Sequence, residues 1–154
     1  MALDKVTLEK LAKAGLRVVR PIPDGPHNTI PLFVSKVAAG LPAMVEDGAD
    51  DGIDLHTYCV PHPENSFLLR VSGSSMQGAG IQDGDLLVVD RSIRATDGRI
   101  VIAALDGEVT VKRLRRKGQR VMLVPENPEY PTIAVRPDQS FTVWGVVIFV
   151  VHRV

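Results

Sequence analysis

From about Ser66 onward the chain is a succession of short apolar runs: Phe67–Val71, Leu86–Val89, Ile100–Ala104, Val109–Leu114, Val121–Val124 and Phe141–Val151. Turn-forming residues separate them, at Asp83-Gly84-Asp85, Asp97-Gly98, Asp106-Gly107, Lys117-Gly118 and Pro125-Glu126-Asn127-Pro128. Strands at this spacing with such punctuation predict a mostly β domain. Within Glu108–Leu114 the residues alternate, which puts Val109, Val111 and Arg113 on one strand face and Thr110, Lys112 and Leu114 on the other. The first part of the chain reads differently. Leu8, Leu11 and Leu16 lie at near-helical spacing, with Thr7 as N-cap and Gly15 as stop, and predict one short helix. The prolines of PIPDGPHNTIP, residues 21–31, make that stretch irregular. Residues 46–54, EDGADDGID, hold five acids and two glycines and read as an exposed flexible linker. The pattern predicts a flexible N-terminal arm of about 60 residues feeding a compact β domain of about 90.

Composition narrows the function classes. Lys plus Arg total 18 and Asp plus Glu total 18, so the formal net charge is zero. A nucleic-acid binder that works by bulk phosphate neutralisation is not expected, and any DNA association is indirect or confined to a local patch. Cys59 is the one cysteine, which excludes an intramolecular disulfide. MALDKVTLEKLAKAGLRVVR lacks the apolar run of a signal peptide. The run Val146–Val151 is far shorter than the roughly 20 residues a membrane helix requires. A soluble, cytoplasmic protein is expected.

Two residues carry candidate chemistry. Ser75 lies in VSGSSMQGAGIQDGD, after Gly73 and at the end of an apolar run. A serine there can be held on a tight turn with its hydroxyl exposed. The backbone amides of Ser74 and Ser75 are then candidate oxyanion donors. The same residues also suit an ordinary polar β-turn. Lys112 sits inside the apolar strand GEVTVKRL. A lysine on a strand face is usually solvated. Buried beside Ser75 it would lose its preference for the charged form, and each pKa unit of that loss is about 1.4 kcal/mol. A neutral Lys112 is able to take the hydroxyl proton and later return it to a leaving amine, with no histidine involved.

Other constellations are weaker. His27, His56, His62 and His152 are scattered. His56 and His62 flank Cys59, but HTYCVPH lacks the four clustered ligands of a zinc site, so no metal is expected. Asp83, Asp85 and Asp90 read as turn caps around Gly84.

LRVSGSSMQGAGIQDGDLLVVD (69–90) and EVTVKRLRRKGQRVMLVPENPEY (108–130) resemble the catalytic domain of LexA-type repressors and UmuD-type mutagenesis proteins. IVIAALDGEVTVKRL (100–114), VWGVVIFVVHRV (143–154) and IPLFVSKVAAG (30–40) are similar to the UmuD type in particular. The resemblance covers about residues 30–154. It implies a catalytic serine at Ser75, within SGxSM, and a general base at Lys112, within TVK, 37 residues on. It implies self-cleavage at Ala39–Gly40, within VAAG, 35 residues before Ser75, with Val37 anchoring the segment in an apolar pocket. The organisation then becomes an arm of residues 1–39 removed by cleavage, a linker of 40–62, and a Ser–Lys peptidase domain of 63–154.

The resemblance further implies a homodimer paired through Phe141–Val154, activation by a RecA filament on single-stranded DNA, and service to a Y-family translesion polymerase. It implies no cofactor, no membrane and no sequence-specific DNA contact. Only 38 residues precede Ala39, with no two-helix DNA-binding motif, and the first 15–20 have no counterpart in the family pattern. The alternative is a LexA or phage-type repressor lacking its DNA-binding part. A membrane-anchored signal peptidase lacks its anchor here, and an inactive β interaction module would not need both Ser75 and Lys112.

Overall fold

The computed structural model describes residues 5–13, 17–19, 29–33 and 49–154. The chain divides into two compact units, which are treated separately. One comprises the described parts of Met1–Pro21 together with His62–Val154, and the other those of Ile22–Pro61.

The larger unit holds helix α1 (Lys5–Lys13) and strand β1 (Arg17–Val19). The smaller unit pairs β2 (Thr29–Phe33) with β3 (Ala49–Asp54), followed by the short helix α2 (Leu55–Cys59). Asp54 caps α2 by accepting from the His56 amide at 2.9 Å. The larger unit continues with β4 (Ser66–Arg70), β5 (Leu86–Asp90), β6 (Ile100–Leu105), β7 (Glu108–Lys117), β8 (Arg120–Val124), β9 (Ile133–Val135) and β10 (Phe141–Val151). These strands and β1 form one antiparallel sheet in the order β1-β4-β5-β10-β6-β7-β8-β9.

The alternation in β7 feeds two cores. Val109 and Val111 pack with Phe67, Leu69, Met76 and Ile81 in one cluster. Leu114 packs with Val101, Leu123 and Val146 in the other. Each fully buried Leu or Ile among them contributes about 1.5–3 kcal/mol. Lys112 lies on this doubly covered strand and is only 7% exposed.

The structure redraws parts of the sequence reading. Helix α1 begins at Lys5, so Thr7 lies inside it rather than capping it. The acidic stretch 46–54, predicted as a flexible linker, contains β3, which gains its backbone partners from β2, and Gly52 takes the left-handed φ of 90° where the register shifts. Cross-strand pairing there overrides the low β-propensity of Asp and Gly. The apolar C-terminal run lies in mid-sheet, between β5 and β6, and much of it is covered within the chain. Trp144 and Val147 serve one cluster, Phe141, Val143 and Ile148 the other. Val150 and Val151, at the end of β10, are exposed.

Candidate active site

Beyond β4, the chain from Ser72 to Gly80 is a series of tight turns ending in one 3-10 turn, Gln77–Ala79. Gly73 takes φ 100°, a left-handed conformation that a side chain would strain. Its amide donates to Asp83 Oδ1 at 2.8 Å, which ties the start of the loop to the turn before β5. Met76, 2% exposed, plugs the loop into the first core.

The loop between β8 and β9 clamps the serine turn from its other side. The Glu126 amide donates to Ser75 O at 2.8 Å, and Gly78 donates back to Glu126 O at 2.6 Å. Asn127 Nδ2 donates to Ser74 O at 3.0 Å, and the Ser74 hydroxyl bonds Tyr130 OH at 3.1 Å. Arg113 Nε pairs with Glu126 Oε1, and its Nη1 donates to Gly98 O at 2.7 Å, so β7 braces the same loop. The carbonyls of Ser74 and Ser75 are thus occupied. Their amides have no acceptor among the described residues.

Lys112 reaches this turn from β7. Its Nζ donates to Ser75 Oγ at 3.0 Å, to Thr110 Oγ1 at 2.8 Å and to Val111 O at 3.0 Å. Three N–H groups meet three neutral acceptors, and no carboxylate pairs with the amine among the described residues. Burial without a counter-charge pushes the Lys112 amine below the ordinary lysine value. A cavity of about 60 Å³ lies beside the pair, lined by Gly73, Ser75, Met76, Val109, Thr110 and Val111 among others.

The structure therefore brings Ser75 and Lys112 into hydrogen-bond contact across 37 residues of chain. Val37, Ala39 and Gly40 lie outside the described residues. The turn aspartates are all engaged. Asp85, 3% exposed, accepts from Gln82 N and pairs with His152 at 2.7 Å. Asp90, fully buried, accepts from Ser92 and pairs with His62 at 2.7 Å. Burial alone would raise the Asp90 carboxyl, but its bonds from Ser92 and His62 offset this and hold it below the usual range. The bond to Asp90 in turn raises His62. Ser92, His62 and Asp90 do not form a nucleophilic triad, because both partners address the same ring nitrogen, with Ser92 Oγ 3.5 Å from Nδ1. Among the described residues no three His, Cys, Asp or Glu converge as metal ligands. No described helix is long and apolar enough to cross a membrane.

Sequence reading missed Thr110, Asn127 and Tyr130 as site residues. Strand alternation was the available signal for Thr110, two positions before Lys112 on the same face. Asn127 and Tyr130 reach Ser74 over more than 50 residues, which no local pattern encodes.

The profile of the Peptidase S24-like family matches residues 31–148. Protein MucA of Salmonella typhimurium is 44% identical over 121 residues, which cover 78% of this chain and 82% of that protein. Protein SamA of the same species is 39% identical over 138 residues, covering 90% and 96% respectively. The LexA repressor of Acidovorax sp. (strain JS42) is 41% identical over 142 residues, covering 92% of this chain but 62% of the repressor. With its profile matched over most of the chain, and with the serine-bearing turn and the lysine strand inside the matched span, this protein belongs to the S24-like peptidase family.

Proposed function

We propose that this chain is a self-cleaving serine endopeptidase of the UmuD type, with Ser75 as nucleophile, Lys112 as general base and the Ala39–Gly40 bond as substrate. The observation that carries the reading is the 3.0 Å contact between Lys112 Nζ and Ser75 Oγ on a buried strand face. A depressed lysine pKa is what this chemistry requires.

Neutral Lys112 takes the Ser75 proton while Oγ attacks the Ala39 carbonyl carbon. The amides of Ser74 and Ser75 hold the oxygen that becomes negative. Lys112 returns the proton to the nitrogen of Gly40, which departs as a free amine. The remaining ester between Ser75 and Ala39 is hydrolysed by water, with Lys112 again as base. Val37 anchors the extended segment in an apolar pocket, and the cavity of about 60 Å³ suits a side chain as small as that of Ala39. Residues 1–39, with α1 and the edge strand β1, are released, and residues 63–154 persist as the peptidase domain behind a 40–62 segment that carries β3 and α2.

The chain matches 82–96% of the length of MucA and SamA but only 62% of the LexA repressor. The match to MucA and SamA over most of their length supports an accessory role in SOS mutagenesis. A RecA filament on single-stranded DNA then promotes cleavage by favouring the seated substrate segment, a population shift. Each tenfold rarer seating adds about 1.4 kcal/mol to the apparent barrier. The cleaved form serves a Y-family polymerase as a homodimer, with the exposed Val150 and Val151 as one apolar contribution to pairing.

The test is a time course at pH 7 with and without RecA, ATP and single-stranded DNA. Accelerated cleavage supports the SOS reading. Equal rates with and without the filament reject that reading while leaving the peptidase assignment standing.

A further inference from the structure

The charge of this neutral protein is unevenly placed. Residues 91–120 contain nine Lys or Arg against three acids, so the rest of the chain carries the compensating negative excess. Lys112 is committed to Ser75, and Arg113 to Glu126 and the Gly98 carbonyl. The others face outward. Arg91, Arg94, Arg99, Arg115, Arg116, Lys117 and Arg120 are all exposed.

Backbone pairing brings Arg99, Arg115, Arg116, Lys117 and Arg120 close together. Lys117 and Arg120 are directly opposite each other at the Gly118-Gln119 turn of the β7–β8 hairpin. The loop before β6 runs alongside the same hairpin. Gly98 donates to Leu114 O at 2.8 Å, Leu114 donates to Arg99 O at 2.8 Å, and Arg116 N donates to Asp97 Oδ1 at 2.6 Å. Asp97 also lies 3.6 Å from Arg115 and partly neutralises it. Among the described residues, Arg94, Arg99, Arg116, Lys117 and Arg120 have no carboxylate within ion-pair distance.

Folding alone does not favour this arrangement. Like charges directly opposite on a strand pair are destabilising. A solvated surface is satisfied by mixed signs, and the chain has equal numbers of acids to supply them. The composition also points to the ligand. Arginine dominates, and its planar fork matches phosphate oxygens. No Phe, Tyr or Trp falls within residues 91–120, so this segment itself offers no ring on which bases would stack.

We propose that the β7–β8 hairpin and the adjoining 94–99 loop bind the sugar–phosphate backbone of a nucleic acid without reading its bases. Binding is driven by counterion release, so it weakens steeply with salt. Four unpaired cations, Arg99, Arg116, Lys117 and Arg120, on single-stranded DNA give a slope of log K against log [salt] of about −3.

The test is fluorescence anisotropy of the full-length chain with a labelled 20-nucleotide oligothymidylate, a mixed-sequence duplex of equal length and a labelled polyglutamate peptide, over a range of NaCl concentrations. The expected result is salt-sensitive binding to the oligonucleotide or duplex, indifferent to sequence. Arg116→Gln/Lys117→Gln/Arg120→Gln flattens the single-strand slope by about 2. Lys117→Gln/Arg120→Gln, confined to the exposed turn, flattens it by about 1.4 and serves should the triple variant fail to fold. Arg116→Lys/Arg120→Lys keeps the slope. The proposal is overturned if neither nucleic acid binds at low salt, if the Gln variants bind as the wild type does, or if only polyglutamate binds, which would make the partner an acidic protein.

Discussion

Thr110 Oγ1 and Lys112 Nζ are 2.8 Å apart on alternate positions of β7, so the threonine meets the amine from the same strand face. Thr110 is a positioning residue in this account. It accepts from Lys112 and thereby favours the ammonium relative to a site without it. Thr110→Val removes that acceptor. The midpoint of the cleavage rate against pH should move to lower pH, while the alkaline plateau falls as Lys112 loses its orientation. A midpoint unchanged or shifted upward contradicts the role.

Lys112 ties stability to pH with a definite sign. Its folded pKa is depressed by burial, so the unfolded chain binds the proton more tightly. The wild type carries the full handicap of a buried cation below the folded pKa. That handicap is relieved as pH rises towards the ordinary lysine value of about 10.4. Compared with Lys112→Met, the wild type should therefore gain stability between pH 7 and pH 10.5, read by urea unfolding at a series of pH values. A difference that stays constant across this range means that the amine is not desolvated.

Much of the architecture is legible in the sequence because apolar runs and turn residues alternate on a short scale. Strands β4 to β8 and β10 all show this pattern. β9 escapes because three residues between Pro131 and Pro137 offer no periodicity. β3 escapes because ADDGID is polar and owes its strand to β2. The site was legible to the extent that family spacing pairs Ser75 with Lys112. The clamp that holds Ser75 was not, because Glu126, Asn127 and Tyr130 act through contacts that only the closed sheet creates.

Gly78 shows how tight that clamp is. A β-carbon on Gly78 would stand 2.5 Å from Glu126 O, the backbone group next to the amide that holds Ser75 O. Gly78→Ala must push the β8–β9 loop and with it the Ser75 turn. The expected outcome is a loss of about 1–3 kcal/mol in stability from overpacking and a fall in cleavage rate of tenfold or more from misplacement of Ser75. Wild-type cleavage kinetics in this variant would show that the loop does not position the serine.

The His62–Asp90 pair fastens the start of β4 to the end of β5. Asp90 is depressed and contributes above the usual carboxylate value, losing its contribution as pH falls through its folded pKa. His62 is raised and contributes fully below about 6.5, losing its contribution as pH climbs through its folded pKa. His62→Gln should therefore lower the melting temperature more at pH 5.5 than at pH 9. An equal loss at both values would mean that the ring acts by shape and not by charge.

The central claim is that Ser75, activated by Lys112, cuts the chain's own Ala39–Gly40 bond. The most direct measurement is the mass of the fragments formed by the pure wild-type chain at pH 7 and pH 10, beside Ser75→Ala and Lys112→Arg. The account predicts a C-terminal product beginning at Gly40, formed faster at pH 10, and a loss of at least about 10⁴-fold in rate in each variant with no further loss when they are combined. A primary cut at another bond, a rate indifferent to pH, or wild-type cleavage by either variant would contradict it.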